Sequence, residues 1–182
     1  MCGRYYVEYD ETVELFKVIK QLLNAKNIPA KNGDIRPSEK VPVITAANRI
    51  DLLTWGIKAS GKSLIINARS ETVQEKPLFI KNNRRCIIPA SGFYEWTKNK
   101  EKHYYVSSEK VIYMAGLYGP SGAFAILTRS SEPPVSLIHD REPVILTRDM
   151  CRSWLSGQEE DPSSFFSRNA ELYEGDIPEL SV

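Results

Sequence analysis

The sequence predicts an α+β domain built on curved antiparallel sheets. Short runs of Val, Ile, Leu, Tyr and Phe recur along most of the chain, punctuated by Gly, Pro and Asn. Half-buried strands joined by tight connections read this way. Apolar residues at helical spacing are confined to a few stretches. Many short strands with two or three helices fit sheets that curve and carry the helices at their flanks. A chain of 182 residues is long enough to bury a sizeable core in one domain.

Residues 3–8 form a short strand that fixes the N-terminus against the body. Asp10 is the expected N-cap of the first helix, with Glu11 and Glu14 in its first turn. Val13, Phe16, Ile19, Leu22 and Leu23 supply its apolar stripe. Residues 24–38, with Pro29, Gly33 and Pro37, read as a polar loop. Residues 41–45 and 50–57 form two strands about a turn near Ala47-Asn48-Arg49. A Gly61-Lys62-Ser63 turn leads into Leu64-Ile65-Ile66, which ends at Asn67-Ala68-Arg69. Ser70 then opens a short helix with Glu71 in its first turn. Cys86-Ile87-Ile88 is a buried strand, and residues 93–97 continue after Pro89-Ala90-Ser91-Gly92. Beyond a turn at Asn99-Lys100-Glu101, strands are expected over residues 103–106, 111–117 and 124–128. A loop over residues 129–134 precedes a last strand at 144–146. Thr147 caps a helix running to about Leu155 and closed by Gly157. Residues 1–160 make one domain, and 161–182 form an acidic tail expected to be partly disordered.

Composition narrows function by exclusion. No apolar run approaches the roughly 20 residues that span a bilayer. Arg4 and Glu8 interrupt the start before any secretory h-region, so the expected location is cytoplasmic, with no membrane partner. Cys2, Cys86 and Cys151 are an odd set without C-x-x-C spacing, against a disulfide frame or a zinc site. Two histidines are few for a His-built metal centre. The expectation is a monomer with no metal and no cofactor. Beyond residue 150, Arg152 and Arg168 face Glu159, Glu160, Asp161, Glu171, Glu174, Asp176 and Glu179, so the body is mildly basic although the whole chain carries only +1. A basic body admits a polyanion as partner, and a solvated mixed-charge surface fits as well.

Four residues at strand ends carry candidate chemistry. Cys2 follows the initiator Met, whose removal is expected before so small a side chain. That leaves an α-amine and a thiol on one residue. The amine's ordinary pKa of about 7.7–8.0 keeps a useful fraction unprotonated near neutrality. Such an amine condenses with an aldehyde to a Schiff base, and the thiol then closes a five-membered thiazolidine. An ordinary buried Cys is the competing reading. Glu95 lies within Gly92-Phe93-Tyr94-Glu95-Trp96, where aromatic neighbours desolvate a carboxylate, raise its pKa and suit it to proton transfer near pH 7. Period-2 alternation would instead expose it together with Phe93. His139, in Ile138-His139-Asp140-Arg141-Glu142-Pro143, and Asn67, after a buried strand, each read equally as turn or surface residues.

These stretches carry a resemblance. Met1-Cys2-Gly3-Arg4-Tyr5, Ile66-Asn67-Ala68-Arg69-Ser70-Glu71-Thr72, Arg85-Cys86-Ile87-Ile88-Pro89-Ala90-Ser91-Gly92-Phe93-Tyr94-Glu95-Trp96, and Ile138-His139-Asp140-Arg141 with Pro143-Val144-Ile145-Leu146 resemble, in order and spacing, the motifs of the SRAP family. These are the SOS response-associated peptidases or abasic-site processing proteins. Pro37, Pro42-Val43, Trp55-Gly56 and Ala115-Gly116-Leu117 match more weakly. The resemblance runs from residue 1 to about residue 155.

It implies a barrel-like core with a few flanking helices. It also implies a protein that senses abasic sites in single-stranded DNA and crosslinks to them through a thiazolidine at Cys2. Glu95 would shuttle protons, His139 would assist sugar opening, and Asn67 would orient the sugar and the N-terminus. Weak AP lyase activity and peptidase activity limited to release of Met1 are implied alongside. Arg4, Arg69 and Arg141 stand beside these residues as phosphate contacts, followed by Arg36, Arg84, Arg85 and Arg129. Pro37, Trp55, Phe93 and Trp96 would offer apolar or stacking surface to unpaired bases, and Trp55 and Trp96 read equally as core. Cys86 and Cys151 read as inert, and His103 as structural. Two stretches depart from the family pattern: Glu142 stands where Met is usual, and Asp34-Ile35-Arg36-Pro37 where Asn-x-Ala-Pro is usual.

Two other readings share these residues. N-terminal-nucleophile amidotransferases also begin Met-Cys-Gly, but need an oxyanion hole, for which Asn32-Gly33 is inadequate evidence. A non-catalytic single-strand binding module needs only the basic and aromatic residues.

Overall fold

The computed structural model describes residues 2–30, 32–47, 49–59, 63–157, 165 and 171–178. The expected turns at Asn48 and Gly61-Lys62 and most of the acidic tail lie outside them. In chain order the elements are β1 (Tyr5–Val7), α1 (Glu14–Ala25), β2 (Gly33–Ile35), β3 (Lys40–Ala46), β4 (Arg49–Trp55), β5 (Ile57–Lys58), β6 (Leu64–Ile65) and β7 (Asn67–Arg69). They continue with α2 (Pro77–Lys81), β8 (Arg84–Ala90), β9 (Gly92–Trp96), β10 (Lys102–Val106), β11 (Ile112–Tyr118), β12 (Ala123–Ser130), β13 (Arg141–Pro143), β14 (Ile145–Leu146), α3 (Arg148–Ser156) and β15 (Tyr173–Gly175).

The larger sheet closes on itself. β12 pairs with β4 in parallel, β4 with β3, β3 with β8, β8 with β11, and β11 with β12 again, the last four antiparallel. The expected curved, barrel-like core is therefore present. Alternation splits its side chains between two packed clusters. Cys86, Ile88 and Ala90 of β8 join Cys2, Tyr5, Trp55, Phe93 and Phe124. Ile87 joins Ala115, Leu127 and, from α3, Trp154.

The second sheet has the order β15-β10-β9-β1-β2. Its register aligns Ile35, Tyr5, Phe93, Tyr105 and Glu174 in one row across five strands. The first four of these are buried in the cluster that holds Cys2. The neighbouring row on the same face contains the direct pair Glu95 and His103.

Several elements differ from expectation for local reasons. α1 starts at Glu14 with Val13 at its cap and no capping side chain. Asp10 instead accepts the Thr12 N–H at 2.8 Å, closing the turn before the helix. Burial of Phe16, Ile19 and Leu23 stabilises the helix in place of a cap. No helix starts at Ser70: the chain turns there, makes a short 3-10 segment (Val73–Glu75), and enters α2 with Pro77 in its first turn. β2 and β13, expected as loop and turn, are three-residue strands defined by their partners β1 and β12. α3 ends as expected, with Gly157 in the left-handed conformation at φ 65°. Residues 173–175, expected in the tail, pair with β10. Among the described residues, no helix is long and apolar enough to cross a membrane.

Candidate active site at the N-terminus

Cys2 has no exposed surface. Burial raises its thiol well above the ordinary range, and the nearby Glu95 carboxylate adds to the effect, so the thiol keeps its proton. The Cys2 carbonyl accepts a hydrogen bond of 2.8 Å from Asn67 Nδ2. Asn67 holds that position because β7 lies parallel to β12, with Asn67 beside Ile126. The preceding carbonyl, of Ile66, accepts from both the Ile126 N–H at 3.0 Å and Trp55 Nε1–H at 2.9 Å. Asn67 Oδ1 is buried with no hydrogen-bond partner among the described residues.

Glu95 is 2% exposed. Desolvation lifts its pKa to about 7, opposed by the positive charge of the N-terminus and reinforced by Asp140. A carboxyl poised there exchanges protons readily near neutrality. The exposed, alternating arrangement is thus excluded: Glu95 shares its face with Phe93, and that face is the buried one.

His139 lies just before β13 and keeps 28% of its side chain exposed. Its carbonyl accepts from Ser131 Oγ at 2.6 Å, and its Nδ1 accepts the Arg141 N–H at 3.0 Å. Asp140 Oδ1 is also 3.0 Å from Nδ1, a contact that attracts only a protonated ring. Burial, followed by the N-terminal charge, lowers the His139 pKa. The neutral ring is therefore the resting form, with Nδ1 as acceptor and the proton on Nε2. The N-terminal charge acts on both Glu95 and His139, and Asn67 binds Cys2, so all four sequence candidates converge on one end of the chain.

The proposed DNA contacts divide. Arg36 and Arg69 are exposed and Pro37 is half-buried. Arg4 is half-exposed, pairs with Asp34 at 3.3 Å and lies 5.5 Å from the centre of the half-buried Trp96 ring. Arg141 is directed inward: Nη1 and Nη2 meet the two Glu71 oxygens at 2.7 and 2.9 Å, and Nη2 also donates to the Thr128 carbonyl at 2.7 Å. Arg129 is buried against Glu142 at 2.8 Å and Glu132 at 2.6 Å. Arg85 extends over the Trp154 ring at 4.7 Å, on the opposite face of β8 from the Cys2 cluster. It lines a cavity of about 560 Å³ together with the exposed Arg84. Trp55 has no exposed surface and Phe93 stacks on Tyr105 at 5.4 Å, so both are packing residues in this structure. Trp55 acts indirectly, by anchoring the residue before Asn67.

Both departures from the family pattern have found partners. Asp34 pairs with Arg4, and Glu142 with Arg129. Glu71, within the Asn67 motif, takes on a role that the sequence does not display, as the bidentate partner of Arg141. Its signal was the pairing of an acid with an Arg far along the chain, which spacing does not reveal. Among the described residues no cluster of His, Cys, Asp and Glu could hold a metal ion.

The family model described as SOS response associated peptidase (SRAP) matches residues 1–177. The abasic site processing protein YoqW of Bacillus subtilis (strain 168) is 34% identical over 188 residues, covering 89% of this chain and 83% of that protein. The abasic site processing protein YobE of the same organism is 32% identical over 188 residues, covering 89% and 85%. A solved structure of a Bacteroides thetaiotaomicron protein superposes with a TM-score of 0.73 at 21% identity, covering 95% of this chain and 91% of that one. That likeness supports the fold.

Proposed function

The chain belongs to the SOS response associated peptidase (SRAP) family, and from that membership we propose that it processes abasic sites in single-stranded DNA by crosslinking to them through Cys2. The observation that carries this reading is the convergence of Cys2, Asn67, Glu95 and His139 on the N-terminus.

The substrate is the ring-opened sugar, which presents an aldehyde. Neutral His139 has Nε2–H to offer to the sugar ring oxygen as the hemiacetal opens. After removal of Met1, the Cys2 amine adds to the aldehyde carbon. A C–N bond forms, and the former carbonyl oxygen gains a proton. Glu95, with its pKa near 7, takes the proton that the ammonium sheds and returns one as the carbinolamine loses water. The Cys2 thiol then adds to the imine carbon, and its proton passes to the nitrogen, closing the thiazolidine. Asn67 holds the Cys2 carbonyl, and its Oδ1 is available to a sugar hydroxyl. Orientation of this kind supplies up to about 7–11 kcal/mol of a barrier. β-Elimination from the Schiff base, a lyase reaction, competes with ring closure, and peptidase action is confined to release of Met1. Exposed Arg36 and Arg69 and half-exposed Arg4 serve the phosphates of the strand, in a salt-sensitive, sequence-independent manner.

The test is incubation with a single-stranded oligonucleotide bearing one abasic site, read by denaturing gel and intact mass. The expected product has the mass of the Met1-free protein plus DNA minus one water, requires Cys2, and is absent with undamaged DNA. The same stable adduct from Cys2→Ala overturns the mechanism.

A further inference from the structure

We propose that His103 and Glu174 form a proton relay connecting the buried Glu95 carboxyl to solvent through the edge of the five-stranded sheet. The inference rests on the crosslinking reading above and extends it to residues that reading does not use. His103 of β10 is the direct antiparallel partner of Glu95 on β9. Side chains of such a pair share a face, with Cβ atoms about 4.5–5.5 Å apart. On its far side, His103 Nδ1 is 2.6 Å from Glu174 Oε1 of β15. A carboxylate there holds the proton on Nδ1 and leaves the lone pair on Nε2. Nε2 is buried and has no hydrogen-bond partner among the described residues. The Tyr105 hydroxyl, on the same face, is likewise buried without one, and Tyr105 feels the charges of both Glu174 and Glu95. Glu95 is 2% exposed, whereas the Glu174 side chain, one row over on the same face, is 53% exposed, so the path leads from the interior to water.

The chemistry needs such a path. The Cys2 ammonium must lose a proton before its amine can attack, and Glu95 receives it. With a DNA strand lying over the N-terminus, the front route for that proton is covered. Through the relay, Glu95 gives its proton to His103 Nε2, the Nδ1 proton passes to Glu174, and Glu174 releases one proton to solvent. No bond to carbon is made or broken, and the proton count balances. A side-chain rotation or one bridging water closes the gap between Glu95 and His103. His103 and Glu174 act through Glu95 and are positioning residues.

Single-turnover crosslinking to the abasic oligonucleotide across neutral pH tests the relay in His103→Gln and Glu174→Gln. We expect a rate about tenfold lower for His103→Gln, smaller than the roughly hundredfold or greater effect of a group that itself exchanges a proton with the reacting atoms. We also expect a flattened pH profile, recovery on adding free imidazole, and unchanged affinity for DNA carrying an abasic analogue that lacks an aldehyde. Glu174→Gln, a change at the exposed end, should lower the rate in the same direction by less. A wild-type rate and pH profile in both variants overturns the relay while leaving the Cys2 chemistry standing. A loss in His103→Gln that imidazole does not restore, with Glu174→Gln unaffected, assigns His103 a structural role and also overturns it. Failure of the wild-type protein to form the Cys2 adduct sinks the crosslinking reading and the relay together.

Discussion

Replacing Glu95 by Gln should stabilise the fold at alkaline pH and leave it nearly unchanged in acid. The Glu95 carboxyl titrates near 4.5 in the unfolded chain and at about 7 in the fold, chiefly because burial penalises its charge. Below pH 4.5 both states hold the proton and nothing is lost. Between 4.5 and 7 the unfolded chain ionises while the fold still binds the proton, so stability falls as pH rises. Above 7 the full penalty applies. At about 1.4 kcal/mol for each pH unit between the two values, it amounts to about 3 kcal/mol. Gln keeps the size of the side chain and cannot ionise, so Glu95→Gln escapes that penalty. For a chain of this size about 3 kcal/mol corresponds to a rise in Tm of about 6–12 °C. Urea denaturation of both proteins at about pH 4 and about pH 8 measures it, with the gain expected on the alkaline side alone. An equal effect at both pH values, or a loss at the alkaline one, would refute the assignment of Glu95 as a buried, proton-holding carboxyl.

Two further outcomes follow from the same geometry. Asn67→Ala removes the hydrogen bond to the Cys2 carbonyl and should slow crosslinking by about tenfold, the worth of one such bond, with little change in DNA affinity; a gel time course decides. The bidentate contact with Arg141 holds the Glu71 carboxyl down to about 2, so its contribution to stability is complete above 4.5 and is lost as pH falls toward 2. Glu71→Gln should therefore lower Tm at neutral pH and converge with the wild type in strong acid, in a series of thermal melts.

Strand content was legible in the sequence because it depends on local signals, whereas Asn67 and His139 stood out only through the resemblance to a family. The aromatic flanks of Glu95 already implied desolvation, and its 2% exposure follows from them. What escaped was whatever a distant partner decides. β2 and β13 are too short for periodicity and exist through β1 and β12. Arg141 looked like a phosphate ligand until Glu71, seventy residues away, occupied its guanidinium. Trp55 offered a stacking surface on paper but is sealed between Tyr5 and Phe124 at ring distances of 5.2 and 6.5 Å. His103 looked structural because nothing in the sequence places Glu174 beside it. The acidic tail contributes a strand because the edge of β10 accepts it, a pairing that composition does not encode.

The seclusion of Cys2 bears on the timing of its maturation. The site at the N-terminus is completed late in translation, with Glu95 well after the start and His139 later still. At synthesis rates of about 5–20 residues per second, about 7 to about 27 s separate residue 2 from residue 139. During that interval the nascent terminus is open to a trimming enzyme, whereas the finished fold leaves Cys2 no accessible surface. Excision during that interval acts on an open terminus, and any Met1 that escapes it is left to the peptidase action proposed above.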